Sequence, residues 1–175
     1  MLLGLIALVA AGSAFGLGHS PAAPMNIGAI LSSDSQCTAK VGVGLVVDFG
    51  QLEGNPTAVQ ACVKATPTMS GWSLLESAGV SPEGTKTYPA GFVCRLEGLP
   101  TAQVEPCDTT PDQRVGNWAY FYANPSTDFK WQYSVVGAAS RTPKCGEVDG
   151  WRFESPGESA TKPPALPATS HGCDQ

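Results

Sequence analysis

Large aromatic residues recur with a period of two at positions 118, 120 and 122, and hydrophobic and polar positions alternate over residues 129–135, as they do in β-strands. In the first segment Trp118, Tyr120 and Tyr122 fall on one face of the predicted strand, with smaller or apolar residues between them. An Asn-Pro step and a Ser-Thr-Asp run separate the two segments, and these residue types are typical of turns. The pattern therefore predicts a β-hairpin with a ladder of aromatic side chains.

The aromatic ladder of this hairpin has two interpretations. The first is that the rings form the hydrophobic core. The second is that they form a platform on which a flat ligand stacks, with the tyrosine hydroxyls pointing outward. The sequence does not separate the two. The candidate ligand-binding residues are Trp118, Tyr120, Tyr122, Asn124, Trp131 and Tyr133.

Four further segments have strand character. The apolar run at 41–49 is continuous, which is typical of a central strand, and the alternating segment that follows can pair with it as a hairpin. The other two strands lie on either side of the aromatic hairpin in the chain. The four predicted strands cover residues 41–49, 57–65, 91–97 and 148–153.

A single helix is predicted over residues 70–79. Ser70 can cap its start, Gly79 is a stop signal, and apolar residues recur three apart at Trp72, Leu75 and Ala78. A helix of about two and a half turns is not stable alone, so it needs a sheet to pack on. The elements predict an α+β fold with a small mixed or antiparallel sheet packed on one short helix.

Six cysteines in 175 residues indicate disulfides and an oxidising compartment. The best local case is Cys94 with Cys107, because a strand residue and a nearby loop residue can reach disulfide distance. Cys37 with Cys62 and Cys145 with Cys173 would complete the set. The main rival pairing joins Cys62 to Cys145.

The two ends of the chain differ in composition from its middle. Residues 1–23 have the apolar core and small residues of a signal peptide, which predicts a secreted or cell-surface protein; an uncleaved anchor is the alternative. Residues 24–36 are expected to be a flexible lead and residues 37–154 the folded domain. The Pro-, Ser- and Ala-rich segment 155–175 is expected to be a tail, because its composition cannot bury a core.

Charge and residue inventory exclude several function classes. The net charge is −5 with no basic run, so nucleic acid is a poor partner. Both histidines, His19 and His171, lie outside the predicted domain, which argues against nucleophilic or metal-assisted catalysis. We expect no enzyme activity, no metal and no cofactor. The carboxylate pair Glu147 and Asp149 is expected to be solvated.

Five segments of the chain form a recognisable order: residues 41–49, 71–78, 92–98, 118–124 and 146–153. This order resembles a secreted domain family related to the C-terminal (β) domain of transcobalamin and intrinsic factor. The resemblance implies a β-grasp-like fold, and in the cobalamin carriers this domain covers one face of the corrinoid. It implies an extracellular, non-catalytic module for a corrinoid or similar flat ligand. The alternative is a structural or protein-interaction domain of the cell surface with no small-molecule ligand.

Overall fold

The computed structural model describes residues 42–64, 66–158, 162–165 and 168. The predicted signal peptide and flexible lead lie outside these residues, as do Cys37 and Cys173.

Strands and one short helix alternate along the described residues. The elements in chain order are β1 (Gly42–Asp48), β2 (Val59–Lys64), α1 (Gly71–Ser77), β3 (Pro82–Gly84), β4 (Val93–Leu96), β5 (Asn117–Ala123), a 3₁₀ turn (Pro125–Thr127), β6 (Gln132–Tyr133) and β7 (Val148–Glu154).

The main sheet has five strands in the order β2-β1-β7-β5-β6, and β3 pairs with β4 in a small second sheet. The central strands β1 and β7 run parallel, whereas the other pairs in the main sheet are antiparallel. The first and last strands of the described chain thus lie side by side at the centre, as in a β-grasp arrangement. The prediction of an α+β fold with a mixed sheet and one helix is confirmed.

The hydrophobic core lies between the main sheet and α1. Alternate residues of β1, beginning with Val43 and Leu45, face Leu74 and Leu75 of the helix, and all four are fully buried. Each such side chain stabilises the fold by roughly 1.5–3 kcal/mol. We call this the helix face of the sheet and the opposite side its back face.

The helix starts and ends where the sequence predicts. The Ser70 hydroxyl accepts the Ser73 backbone N–H at 3.1 Å, and the Ser73 hydroxyl accepts the Ser70 backbone N–H at 2.8 Å. This reciprocal cap satisfies two backbone donors at the helix start. Gly79 follows the last turn with φ of +78°, a conformation that favours glycine.

The described residues beyond β7 contact the sheet, although the composition of this segment indicates that it cannot bury a core by itself. Pro156 and Gly157 form a tight turn in which the Glu158 N–H donates to the Ser155 carbonyl at 3.0 Å, and Gly157 has φ of +81°. The described residues beyond this turn return to the back face of the sheet, where Pro164 and Ala168 are buried. Proline and alanine contribute to the core here because the sheet supplies the larger side chains.

Two strand predictions need correction. Strand β3 is absent from the predicted strands, because a three-residue strand that contains Pro and Gly carries no strand pattern. Strand β6 is much shorter than predicted, since residues 124–131 form a wide turn around the 3₁₀ segment.

The predicted disulfide between Cys94 and Cys107 is confirmed, with the two Cα atoms 5.9 Å apart. Cys62 and Cys145 are also disulfide-bonded. The predicted partners Cys37 and Cys173 lie outside the described residues.

Candidate functional site

The first two aromatic residues of β5 belong to the core on the helix face. The Trp118 ring meets Phe49 and Phe153 edge to face, with ring centroids 5.5 Å apart in each pair, and its indole N–H donates to the Leu99 carbonyl at 3.1 Å. The Tyr120 ring stacks on Trp151 with centroids 4.3 Å apart. Trp118 and Tyr120 are 4 % and 5 % exposed, so neither ring can receive a flat ligand in this structure. The core interpretation is correct for these two residues.

Tyr122 and Asn124 are half-buried and have structural partners. The Arg141 guanidinium lies over the Tyr122 ring, 4.3 Å from its centroid. The Asn124 side chain accepts the Thr127 backbone N–H at 3.1 Å and caps the 3₁₀ turn. Local contacts therefore fix the positions of both side chains.

Trp131 and Tyr133 lie on the other side of the sheet from Tyr120. Tyr133 pairs with Phe121 in the β5–β6 ladder and meets its ring edge to face at 5.5 Å. The Trp131 ring lies against Gly150, so close that a Cβ atom at this glycine would come within 2.6 Å of the ring. The six candidate residues therefore do not form one platform. After the wide turn, Trp131 and Tyr133 lie on the back face of the sheet, whereas Trp118 and Tyr120 lie on the helix face.

An exposed apolar surface lies at the outer edge of the main sheet. Tyr133 is 47 % exposed, Val135 93 % and Val136 46 %. We call these three residues the edge patch. Strand β6 is the last strand of the sheet order, so the patch borders a sheet edge. The candidate residues from the sequence include Tyr133 but not the two valines, which lie at the end of the predicted strand segment 129–135 and directly after it.

A buried polar cluster lies beside α1. The Tyr120 hydroxyl donates to Asp149, and Arg141 donates to Asp149 at 3.0 Å and to Glu147 at 2.7 Å. Asp149 is fully buried, so the expectation of a solvated carboxylate pair is wrong. Burial raises the pKa of Asp149 to about 6, although Arg141 and the Tyr120 hydroxyl both favour its ionised form.

This polar cluster holds the loop of residues 138–141 against the start of α1. The Arg141 carbonyl accepts the Gly71 N–H at 3.0 Å, and the Ala138 carbonyl accepts the Trp72 N–H at 3.2 Å. The segment from Ala138 to Arg141 thus covers the start of α1 while Arg141 anchors it to β7. Burial and the negative charge of Asp149 raise the pKa of Tyr120 well above its ordinary value, so its hydroxyl stays a donor.

A cleft of about 430 Å³ opens where β5 begins and β7 ends. Glu154 is 3 % exposed, and its Oε1 atom has no hydrogen-bond partner among the described residues. Burial and the neighbouring Glu158 raise the pKa of Glu154 to about 7, while the Asn117 side chain hydrogen-bonds it. Sequence analysis missed this site, because a glutamate at the end of a strand gives no signal of burial. The lining residues are Gln113, Arg114, Asn117, Glu154, Ser155, Pro156, Gly157 and Glu158.

One group of potential metal ligands lies among the described residues, formed by Cys94, Glu105 and Cys107. The two sulfur atoms are bonded to each other, and a disulfide offers no thiolate to a metal. Glu105 instead accepts the Cys107 backbone N–H at 2.8 Å. The group is therefore part of the loop's structure.

A scan against protein-family models finds no match, and a search of curated proteins finds none either. The resemblance to the transcobalamin C-terminal domain stays a prediction from the sequence segments. In the part of the chain that the structure describes, no helix is long and apolar enough to cross a membrane.

Proposed function

We propose that this protein is an extracellular, non-catalytic binding module that contacts a partner protein through the edge patch. The observation that carries the proposal is the exposure of Tyr133, Val135 and Val136 together at one edge of the main sheet. Exposed apolar residues that cluster, rather than occur singly, are typical of interaction sites. The disulfide between Cys94 and Cys107 and the predicted signal peptide support an extracellular location.

The backbone at this edge also favours a protein partner. The Ser134 N–H donates to the Tyr120 carbonyl at 2.8 Å, and Tyr133 pairs with Phe121. In an antiparallel ladder, adjacent residues direct their N–H and C=O groups to opposite sides, so those of Tyr133 point away from β5. An extended segment of a partner could pair with these groups while its side chains contact the valines.

A flat ligand such as a corrinoid has less support. Of the six candidate residues, Trp118 and Tyr120 are buried, and Tyr122 is covered on one side by Arg141. Small-molecule sites usually bury most of the ligand in a concave pocket, and an edge strand does not offer one. We expect an absorbance titration with cobalamin to give no dissociation constant below about 1 μM, and a tighter value would reinstate the corrinoid hypothesis.

A smaller polar ligand is a second candidate function, favoured by the cleft at Glu154. Its volume of about 430 Å³ lies in the range of small-molecule pockets. Glu154 lines this cleft, and its carboxyl, when ionised, accepts hydrogen bonds from an amine or amide. Saturable shifts of the Asn117 side-chain amide signals with simple amines would support this candidate.

The edge patch is tested by a pair of matched substitutions. Val135→Lys places a charge in the patch, whereas Val104→Lys makes the same change at a 49 % exposed valine in a different loop. We expect Val135→Lys to reduce binding to the extracellular protein fraction of the source cells at least tenfold, measured by quantitative pull-down. Val104→Lys should bind like wild type, and equal binding by the two variants would contradict the proposal.

A further inference from the structure

The described residues after β7 follow the back face of the sheet in a definite direction. Glu158 contacts Arg152 at 3.3 Å, Pro164 lies at Gly150, and Ala168 shares an apolar cluster with Val148. Later residues of the tail thus meet earlier residues of β7. We call residues 162–165 and 168 the strap, and the surface beneath them the back-face groove.

The groove has a subsite shaped for proline. A Cβ at Gly150 would come within 3.1 Å of the Pro164 ring and within 2.6 Å of the Trp131 ring. Glycine at this position lets an aromatic ring and a proline ring approach the same point of the sheet. Aromatic side chains that contact proline are the usual means by which proteins recognise extended, proline-containing segments.

Next to this subsite is an acceptor for the main chain. The Ala165 N–H donates to an Asp48 carboxylate oxygen at 2.7 Å, and Arg152 holds the same carboxylate at 2.9 Å. The ion pair fixes the carboxylate, and the bond to a backbone N–H does not depend on the side chain that follows proline.

A third subsite accepts a small apolar residue. Ala168 is 5 % exposed and packs in the cluster of Val46, Ala123 and Val148, with Phe129 and Trp131 at its border. The strap therefore fills the groove with a proline, the next backbone N–H and a small residue four positions after the proline.

We propose that the back-face groove is a docking site for an extended, proline-containing segment of a partner polypeptide, and that the strap occupies it as an intramolecular competitor. The occupant seated in the groove shows which chemistry fits. Because the strap is attached to the domain, its effective concentration at the groove is high. A free segment therefore binds only the fraction of molecules in which the strap has left the groove. This inference concerns a different surface from the edge patch and stands independently of it.

The probe is a synthetic peptide with the sequence of residues 162–168, Lys-Pro-Pro-Ala-Leu-Pro-Ala, added to the full chain. Ala168→Asp in the protein places a carboxylate in the apolar subsite and should release the strap. We expect the peptide to bind this variant at least tenfold more tightly than wild type, with a shift of the Trp131 indole signal in NMR spectra.

Matched controls separate docking from nonspecific binding. A peptide with aspartate in place of its last alanine should not bind either protein. Lys162→Ala in the protein should behave like wild type, because Lys162 is exposed and pairs with Glu158, outside the three subsites. If Ala168→Asp does not fold, Ala165→Pro removes the N–H donor to Asp48 and serves the same purpose.

Equal peptide affinity for wild type and the released variant would overturn the proposal, as would binding of the control peptide. Formation of dimers by the full chain without peptide binding would also contradict it, because the strap would then be exchanged between two copies.

Discussion

Single aromatic residues of the same type have different roles here because the two faces of the sheet are covered by different elements. Tyr120 lies on the helix face, under α1, whereas Tyr133 lies on the back face, on the same side as the strap, and stays half-exposed. The period-two pattern correctly assigned alternate residues of β5 to alternate faces. It could not show that both faces are buried, since Ala119 and Phe121 are as inaccessible as their aromatic neighbours.

Gly71 tests the packing of α1 against Tyr120. A Cβ at this position would overlap the Tyr120 hydroxyl and lie 3.2 Å from the Ala138 carbonyl oxygen. We expect Gly71→Ala to lower the free energy of unfolding by about 1–3 kcal/mol, measured by urea denaturation. Ser77→Ala, at an exposed site of the same helix, should change it by less than about 0.5 kcal/mol. A stable Gly71→Ala variant would show that the helix can shift away from the sheet.

Glu154 makes stability depend on pH. Its pKa is about 7 in the folded state and 4.5 ordinarily, so the folded protein holds this proton more tightly. The contribution of Glu154 to stability is therefore largest below pH 4.5 and declines as pH rises to 7. We expect the free energy of unfolding of Glu154→Gln at pH 8, measured by urea denaturation, to exceed that of wild type by about 1 kcal/mol after allowance for solvent screening. At pH 4 the two proteins should have the same free energy of unfolding.

The control for this pH dependence is Glu53→Gln, which neutralises an exposed glutamate. It should not alter the difference between pH 4 and pH 8. A Glu154→Gln variant that loses stability at pH 8 would mean that the ionised carboxylate has a favourable partner in the fold.

At the level of elements, the sequence predicted those with strong local signals. The helix was located by its serine cap and glycine stop, and β1, β5 and β7 by their apolar patterns. Strand β3 has no such pattern. It forms because it pairs with β4, and this pairing includes the Glu83–Arg95 ion pair. The length of β6 depends on the path of the wide turn, which propensity alone does not determine.

The disulfide between Cys94 and Cys107 should hold the polar loop that follows β4. Replacing both cysteines by alanine removes a crosslink that spans 13 residues, which corresponds to about 3 kcal/mol of unfolding free energy in the chain-entropy model. Urea denaturation measures the loss. A loss below about 1 kcal/mol would show that Arg95, which donates to the Pro100 and Glu105 carbonyls, already holds the loop.

At the scale of the whole described structure, both faces of the main sheet have elements packed on them. Helix α1 packs on one face, and the strap lies on the other. Among the large hydrophobic side chains of the described residues, Val135 at the β6 edge is the most exposed. Sequence analysis could not predict this surface, because exposure at Val135 results from the end of pairing after Ser134 rather than from any residue pattern.

The central claim, that the protein binds a partner through the edge patch, is tested most directly by site-specific photo-crosslinking. A photoreactive amino acid is placed at position 135 or, as the control, at position 104, and adducts formed on the exterior of the source cells are identified by mass spectrometry. We predict one protein adduct from position 135 that disappears when Tyr133→Lys is added, and none from position 104. No adduct from position 135, or the same adducts from both positions, would contradict the account.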